Sequence, residues 1–324
     1  MTLRRIASFI FLGFLLVLIT ESVAPQNFAP LDALHKLNLP NQQGDVPVYY
    51  SACCKERAMQ VQSTLTDCVH FYKEKLGIDQ ELVAAVLDEN DWNRVVEQRP
   101  SHTGPPYGIT YWAGPPPYVA FTPADDRGII TRGLLADKEH ETTETRELLN
   151  SVHLSFDEAA RKFIIHPTLH ELGHRLVHSY GIQLSDEEGA TWMNEFLSTY
   201  FAYAYEKSNR PEIAVVVEAI TKMSSKPVKY TAVEDFPKSS GDASNFTWYH
   251  HQFESRVVEV YAKQGLDFLI KVKAAFPAGV KSDLSNAKVL SNLERISPGS
   301  RPGRQDWRIN KRERSSWHLA RIAI

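Results

Sequence analysis

Apolar residues in the first half of the chain occur both in a continuous run and at helical spacing, which predicts a mixture of strand and helix there. Residues 81–87 form a compact apolar run, which is typical of a buried strand. Residues 52–75 carry apolar side chains at helical spacing and lead to Gly77, a common helix stop. Residues 46–50 are extended, but Pro47 limits them to an edge strand. A helix followed by a strand predicts a small α/β layer.

The pattern becomes helical in the second half of the chain. Residues 100–128 are rich in glycine and proline and enclose two aromatic-rich pieces, 109–113 and 118–122, which predict short strands. Residues 137–147 combine glutamates with threonines and predict a solvated loop. Beyond Phe156 the apolar spacing predicts helices at 156–180, 186–205, 211–223 and 249–276. We therefore expect an all-α second half.

These patterns predict an α+β fold for the 324-residue chain, which is long enough for a large core. We expect one domain over 25–298, built from a mixed α/β lobe at 25–155 and a helical lobe at 156–298. Residues 299–324 contain few core-forming runs and an excess of arginine, so they predict a disordered basic tail.

The first 24 residues have the pattern of a secretory signal peptide. Arg4 and Arg5 precede the apolar run 6–19, and residues 22–24 (S-V-A) supply a small-x-small cleavage site. The run is shorter than the ~20 residues that cross a bilayer as a helix. The segment predicts a secreted or periplasmic protein, with an uncleaved membrane anchor as the alternative.

Composition narrows the class of protein further. The 36 Lys and Arg residues nearly balance the 39 Asp and Glu residues, which argues against nucleic-acid binding through overall charge. Three cysteines leave at least one thiol unpaired. A helix over 52–75 would hold Cys54 and Cys68 about 20 Å apart, so we expect no disulfide and interpret Cys53, Cys54 and Cys68 as small buried apolar residues.

One motif carries most of the functional information. Residues 170–174 (H-E-L-G-H) match H-E-x-x-H inside a segment of helical pattern. On a helix, His170 and His174 lie one above the other, so both imidazoles can reach one ion. Glu171 is turned about 100° from His170 and points toward the water that the ion activates. This geometry suits Zn²⁺ and predicts one bound zinc.

A catalytic zinc needs a third protein ligand. The metzincin extension would place glycine at 177 and histidine at 180, and the chain has Val177 and Tyr180 instead. A glutamate on a second helix about twenty residues downstream is the other solution, and Glu195 fits it. Glu187 and Glu188 are alternative third ligands, although their predicted place in the first turn of that helix favours a surface role.

The sequence resembles the gluzincin zinc metallopeptidases, the thermolysin-like and aminopeptidase-like branch of the zincins. The resemblance rests on residues 170–174 and 192–195 (W-M-N-E), and residues 50–298 more loosely resemble uncharacterised secreted bacterial members of the peptidase MA-like superfamily. It implies a zincin-like fold, zinc ligands at His170, His174 and Glu195, and a general base at Glu171. The aminopeptidase G-x-M-E-N stretch has no counterpart in residues 100–162, which argues for an endopeptidase.

Two further elements are expected near the site. Peptidases need an electrophilic group for the developing oxyanion, and the cluster Tyr249, His250 and His251 supplies candidates, with Tyr249 first and core packing as the alternative. Zincins bind peptide along an exposed sheet edge, and we interpret residues 118–122 as that edge strand.

Two functions from different classes remain open. The first is a secreted zinc peptidase that hydrolyses peptide or protein substrates through an activated water with Glu171 as base. The second is an inactive zincin-fold envelope or interaction protein with structural zinc. The intact Glu171 favours the enzyme, because a structural site needs ligands and no base. The oligomeric state and the substrate are not encoded in these motifs.

Overall fold

The computed structural model describes residues 28–99, 105–108, 110, 112–113, 117–184, 190–224, 227–280 and 283–298. The signal peptide predicted at 1–24 and the tail predicted at 299–324 lie outside these residues. The described part contains both helices and one small sheet, and most of its ordered residues are helical. Its strands are β1 (Asn41–Gln42), β2 (Val48–Tyr50), β3 (Leu82–Leu87), β4 (Trp112–Ala113) and β5 (Tyr118–Pro123).

The helices of the described residues fall into an early and a late group. The early helices are α1 (Pro30–Leu37), α2 (Lys55–Leu76), α3 (Glu89–Val96), α4 (Ile129–Ala136), α5 (Thr143–Ser151) and α6 (Phe156–Lys162). The late helices are α7 (Ile165–Ser179), α8 (Trp192–Asn209), α9 (Pro211–Ile220), α10 (Ala243–Gln264), α11 (Asp267–Ala275) and α12 (Asn286–Ile296). Short 3₁₀ segments cover Lys138–His140 and Val233–Gly241. None of the helices in this part of the chain is long and apolar enough to span a membrane.

The sheet has the strand order β1-β2-β3-β5-β4. Its three inner strands, β2, β3 and β5, run parallel, and Ala84 of β3 pairs with Val48 on one side and Ala120 on the other. The outer strands β1 and β4 are antiparallel to their neighbours. The buried strand predicted at 81–87 is confirmed as β3, whose six residues are all buried.

Two predicted edge strands are inner strands instead. Residues 46–50 were expected at an edge because of Pro47, but β2 begins at Val48, and the Pro47 carbonyl accepts a bond from the Ala84 N–H at 2.8 Å. The missing proline N–H therefore costs the ladder nothing. Residues 118–122 were also expected at an edge, but β5 lies between β3 and the short β4, which supplies the outer edge.

Two observed helix boundaries differ from those predicted by the apolar spacing, because a capping residue or a glycine begins or ends the helix there. The solvated loop predicted at 137–147 is wrong, because the 3₁₀ segment Lys138–His140 and helix α5 occupy it, and Thr142 Oγ1 accepts a bond from the Thr145 N–H at 3.0 Å. The helix predicted at 249–276 is divided into α10 and α11 by Gly265, whose φ of 53° only glycine adopts readily.

The other late helices follow their predictions more closely. The helix predicted at 156–180 divides into α6 and α7, and the one predicted at 211–223 is α9. The helix predicted from 186 is described from Trp192, and residues 185–189 lie outside the described part of the chain.

The two faces of the sheet belong to two apolar clusters. The larger cluster joins Ala84 and Val86 of β3 to the late helices, including Leu172 of α7 and Leu197 of α8. The smaller cluster covers the other face of the sheet and includes Leu34, Ala85, Trp92 and Phe121. The late helices therefore pack against one face of the sheet.

The cysteines depart from the prediction in two respects, because Cys53 and Cys54 are bonded to each other and Cys53 is exposed instead of buried. Cys53 and Cys54 form a disulfide between neighbouring residues, which corrects the expectation of no disulfide. That expectation considered only Cys54 and Cys68, on a helix starting near residue 52. Helix α2 begins at Lys55, so both bonded cysteines lie in the turn before it. Cys68 is buried with a free thiol, as predicted.

Candidate metal centre

The H-E-L-G-H motif lies on α7, which packs directly against α8. Pro167 falls in the first turn of α7, where a missing N–H interrupts no helical bond. A Cβ on Gly173 would lie 2.4 Å from the Ser198 carbonyl oxygen and 2.8 Å from its Cα. Glycine at 173 therefore lets the two helix backbones approach closely beside the motif histidines.

Both motif histidines face Glu195 across this helix contact. His170 Nε2 lies 3.1 Å from Glu195 Oε2, and His174 Nε2 lies 3.7 Å from the same oxygen. The opposite nitrogens are held by α8, since His170 Nδ1 contacts Thr199 Oγ1 at 3.1 Å and His174 Nδ1 contacts Ser198 Oγ at 2.8 Å. The structure thus brings the three predicted ligands together on two antiparallel helices.

Thr199 determines which nitrogen of His170 carries the proton. The Thr199 hydroxyl donates its hydrogen to the Glu195 carbonyl at 2.9 Å, so its oxygen accepts from His170 Nδ1. The lone pair of His170 then lies on Nε2, which faces the Glu195 carboxylate. Two acceptor atoms facing each other favour a cation at this place. Histidine ligands in metal sites typically donate their other N–H in this way.

Glu171 lies beside the two histidines on the same helix. Its carboxylate and the imidazoles of His170 and His174 offer ligand atoms that all lie within 4.8 Å of one another. A second set with the same mutual spacing consists of His170, Glu195 and His250. Both sets contain His170. The carboxylate of Glu171, the next residue on α7, therefore lies at the rim of the group formed by His170, Glu195 and His250.

Burial favours neutral imidazoles at His170 and His250, and any positive charge on the three neighbouring histidines favours an ionised Glu195. Burial lowers the pKa of His170 to about 4 and that of His250 to about 3. Burial opposes ionisation of Glu195, but the adjacent His174, His170 and His250 outweigh it and hold the Glu195 pKa below its usual range. Neutral imidazole and carboxylate are the forms that bind a metal.

Tyr249, predicted first as the electrophilic group, does not enter this centre. Its side chain is fully buried, and its hydroxyl donates to the Ala232 carbonyl at 2.6 Å. It packs against Phe236 and Phe253, which matches the packing alternative. A one-residue step on α10 turns the neighbouring His250 into the site instead, where its Nε2 lies 3.9 Å from Glu195 Oε2.

A second polar layer lies one turn before His170, and the sequence did not indicate it as a unit. His166 Nδ1 contacts both carboxylate oxygens of Glu206 at 3.0 and 3.1 Å, and its Nε2 lies 3.7 Å from Glu254. All three side chains are buried. The layer joins the same three helices as the metal centre, α7, α8 and α10, which we call the three-helix frame.

The remaining candidates lie elsewhere. His178 is exposed at the end of α7, and His166 belongs to the separate layer, so neither of these two histidines of α7 joins His170 and His174. The alternative ligands Glu187 and Glu188 lie outside the described residues.

The donor set fits zinc in kind, because imidazole nitrogen and carboxylate oxygen are its usual ligands and each motif histidine has its second nitrogen engaged by a hydroxyl. Comparison of the chain with protein-family models, with curated proteins and with solved structures gave no match.

Proposed function

We propose that this protein is a secreted zinc-dependent peptidase of the gluzincin type with a zincin-like fold. The observation that carries the proposal is the convergence of His170, His174 and Glu195 from two packed helices, with the carboxylate of Glu171 at the rim. Three side-chain ligands with an adjacent carboxylate suit a hydrolytic zinc site. The localisation rests on the N-terminal sequence pattern alone.

Zinc, when bound, supplies a Lewis acid that makes water a nucleophile near neutral pH and polarises a peptide carbonyl. Glu171 accepts the proton of the attacking water and passes it to the leaving amine. Thr199 and Ser198 hold the His170 and His174 rings so that Nε2 faces the centre. A structural zinc would need these ligands but not Glu171, which is the argument for an enzyme over a structural protein.

The substrate is a peptide or protein in extended form, aligned along a sheet edge. The expected edge strand at 118–122 is internal, and β4, its antiparallel neighbour, is the outer strand on this side. We therefore assign peptide alignment to the backbone edge of β4 that pairs with no other described strand, where an added strand would be held by main-chain hydrogen bonds. A backbone-held substrate suits cleavage within chains.

Metal analysis of the purified protein tests the ligand set. The wild-type chain is expected to bind one zinc, and Glu195→Ala is expected to lose it, because a glutamate ligand is removed from the three. Glu212→Ala, which changes a carboxylate in the first turn of α9, is the matched control and should bind zinc as the wild type does. Equal zinc content and affinity in Glu195→Ala would exclude Glu195 as a ligand.

A further inference from the structure

The imidazole of His250 enters the metal centre from α10, the third helix of the three-helix frame. Its Nε2 lies 3.9 Å from Glu195 Oε2, compared with 3.7 Å for His174 Nε2 and 3.1 Å for His170 Nε2. Its ring centroid lies 5.6 Å from that of His170. Three imidazole nitrogens from two helices therefore point to one carboxylate oxygen on a third.

The Nε2 atom of His250 has no hydrogen-bond partner among the described residues. Nε2 is buried and unbonded. A buried polar atom left without a partner costs roughly 1–3 kcal/mol. The ring is held in place by Phe246, whose centroid lies 4.4 Å away, and by Phe253 at 6.1 Å. Aromatic packing thus keeps an unsatisfied nitrogen directed at the centre.

The spacing is that of ligands around one ion. Zn–N and Zn–O bonds of ~2.0–2.1 Å in tetrahedral arrangement place ligand atoms about 3.3 Å apart. The measured separations from Glu195 Oε2 range from 3.1 to 3.9 Å. The ligand atoms of His170, Glu195 and His250 also lie within 4.8 Å of one another. His250 meets the distance criterion as well as His174 does.

We propose that His250 is a fourth protein ligand of the metal, beside His170, His174 and Glu195. The inference rests on the proposed zinc site and deepens it. Four side-chain ligands from α7, α8 and α10 would fasten the three-helix frame around the ion. A reacting water would then be a fifth ligand, a number that zinc can reach during catalysis.

Zinc affinity, measured on the full chain by competition with a chelator, tests the assignment. Loss of an outer-shell partner weakens metal affinity 10–100-fold, so removing a direct ligand with His250→Ala should weaken it at least ~100-fold. His250→Asn keeps a polar group near the Nδ1 position but has no atom at Nε2, and it should show the same loss. His251→Ala changes the next residue, which is absent from the ligand sets, and should leave the affinity within about threefold.

The visible spectrum of the cobalt-substituted protein gives a second readout, because ligand number and geometry determine it. His250→Ala and His250→Asn should change this spectrum, while His251→Ala should not. Unchanged affinity and an unchanged spectrum in folded His250 variants would overturn the proposal, and a loss of turnover alone would assign His250 to the substrate side.

Failure of this inference is distinguishable from failure of the proposed function. A wild-type protein that binds zinc through His250 but hydrolyses no peptide would retain the ligand assignment and refute the peptidase. A wild-type protein that hydrolyses peptides, with unchanged zinc affinity in the His250 variants, would retain the peptidase and refute the assignment of His250 as a ligand. A wild-type protein that binds no zinc would refute both.

Discussion

At the scale of single residues, the Thr199 hydroxyl contacts two residues of the proposed metal centre. It donates to the Glu195 carbonyl and accepts from His170 Nδ1, so one side chain links two proposed ligands. The proton of His170 is thereby placed away from the centre, and its lone pair faces inward. In the proposed zinc site Thr199 is a positioning residue, because its hydroxyl contacts His170 Nδ1 and acts through that ring.

Thr199→Val tests this role, since valine keeps the branched shape and lacks the hydroxyl. We expect zinc affinity to fall 10–100-fold, the range found when an outer-shell partner is removed. Thr168→Val is the matched control, because the Thr168 hydroxyl bonds the Ile164 carbonyl and the Thr122 hydroxyl on another side of α7. Chelator competition gives both values. Equal affinities in the two variants would remove Thr199 from the account.

At the scale of elements, the contact between α7 and α8 determines whether the ligands meet. Gly173 permits this contact, because the backbone of Ser198 occupies the space where a Cβ would lie. The same backbone segment carries the Ser198 hydroxyl to His174 Nδ1. Glycine inside a helix is unfavourable by about 1 kcal/mol relative to alanine, so its presence here reflects packing.

Gly173→Ala should therefore destabilise the protein, although alanine is the better helix former. Overpacking of a tight contact costs typically 1–3 kcal/mol, and zinc affinity should fall as α7 and α8 separate. Gly133→Ala in α4 is the control, since a Cβ there meets nothing within 4 Å, and it should be neutral or stabilising by up to ~1 kcal/mol. Urea unfolding measures both. A stabilised Gly173→Ala variant would contradict the close-contact account.

The local parts of this arrangement and the approach of Glu195 to the two motif histidines were predictable from sequence, and the other contacts between helices were not. The H-E-x-x-H spacing places His170 and His174 on one helix face by geometry alone. The strand β3 was predictable because both of its faces are buried, which leaves a continuous apolar run. Thr199 and Ser198 carry no such signal, because their roles depend on the packing of α8 against α7.

The errors have the same origin. Choosing His250 instead of Tyr249 would have required knowledge of how α10 is rotated about its axis. A one-residue difference on a helix turns a side chain by about 100°. Treating β2 and β5 as edge strands required knowledge of the strand order, which the two-residue strands β1 and β4 complete. These short strands lack an alternating pattern long enough to detect.

At the scale of the whole molecule, the three-helix frame buries two polar layers within one apolar core. The layer of His166, Glu206 and Glu254 lies in the interior, and the metal centre lies one turn closer to the surface on α7. Burial, assisted by Glu206, raises the pKa of Glu254 to about 7 against the opposing effect of His166. The stability of the molecule therefore depends on the protonation of this layer.

The sign of this dependence follows from linkage. The pKa of Glu254 in the folded state exceeds its unfolded value, so its favourable contribution is present at low pH and is lost as the pH rises toward 7. Glu254→Gln removes this titration. The stability of the variant relative to wild type should therefore rise between pH 5 and pH 8, by on the order of 2 kcal/mol. Urea unfolding of the metal-free proteins at both pH values measures it, and a pH-independent difference would show that Glu254 does not titrate.

Peptide hydrolysis by the zinc-loaded protein is the most direct test of the account. Peptides acetylated at one end and amidated at the other are incubated with wild type and with Glu171→Gln, and the products are identified by mass spectrometry. We expect internal cleavage by wild type and a rate at least ~10²-fold lower for Glu171→Gln, whose zinc content should be unchanged. Absence of cleavage by zinc-loaded wild type, or equal cleavage by both proteins, would contradict the proposed function.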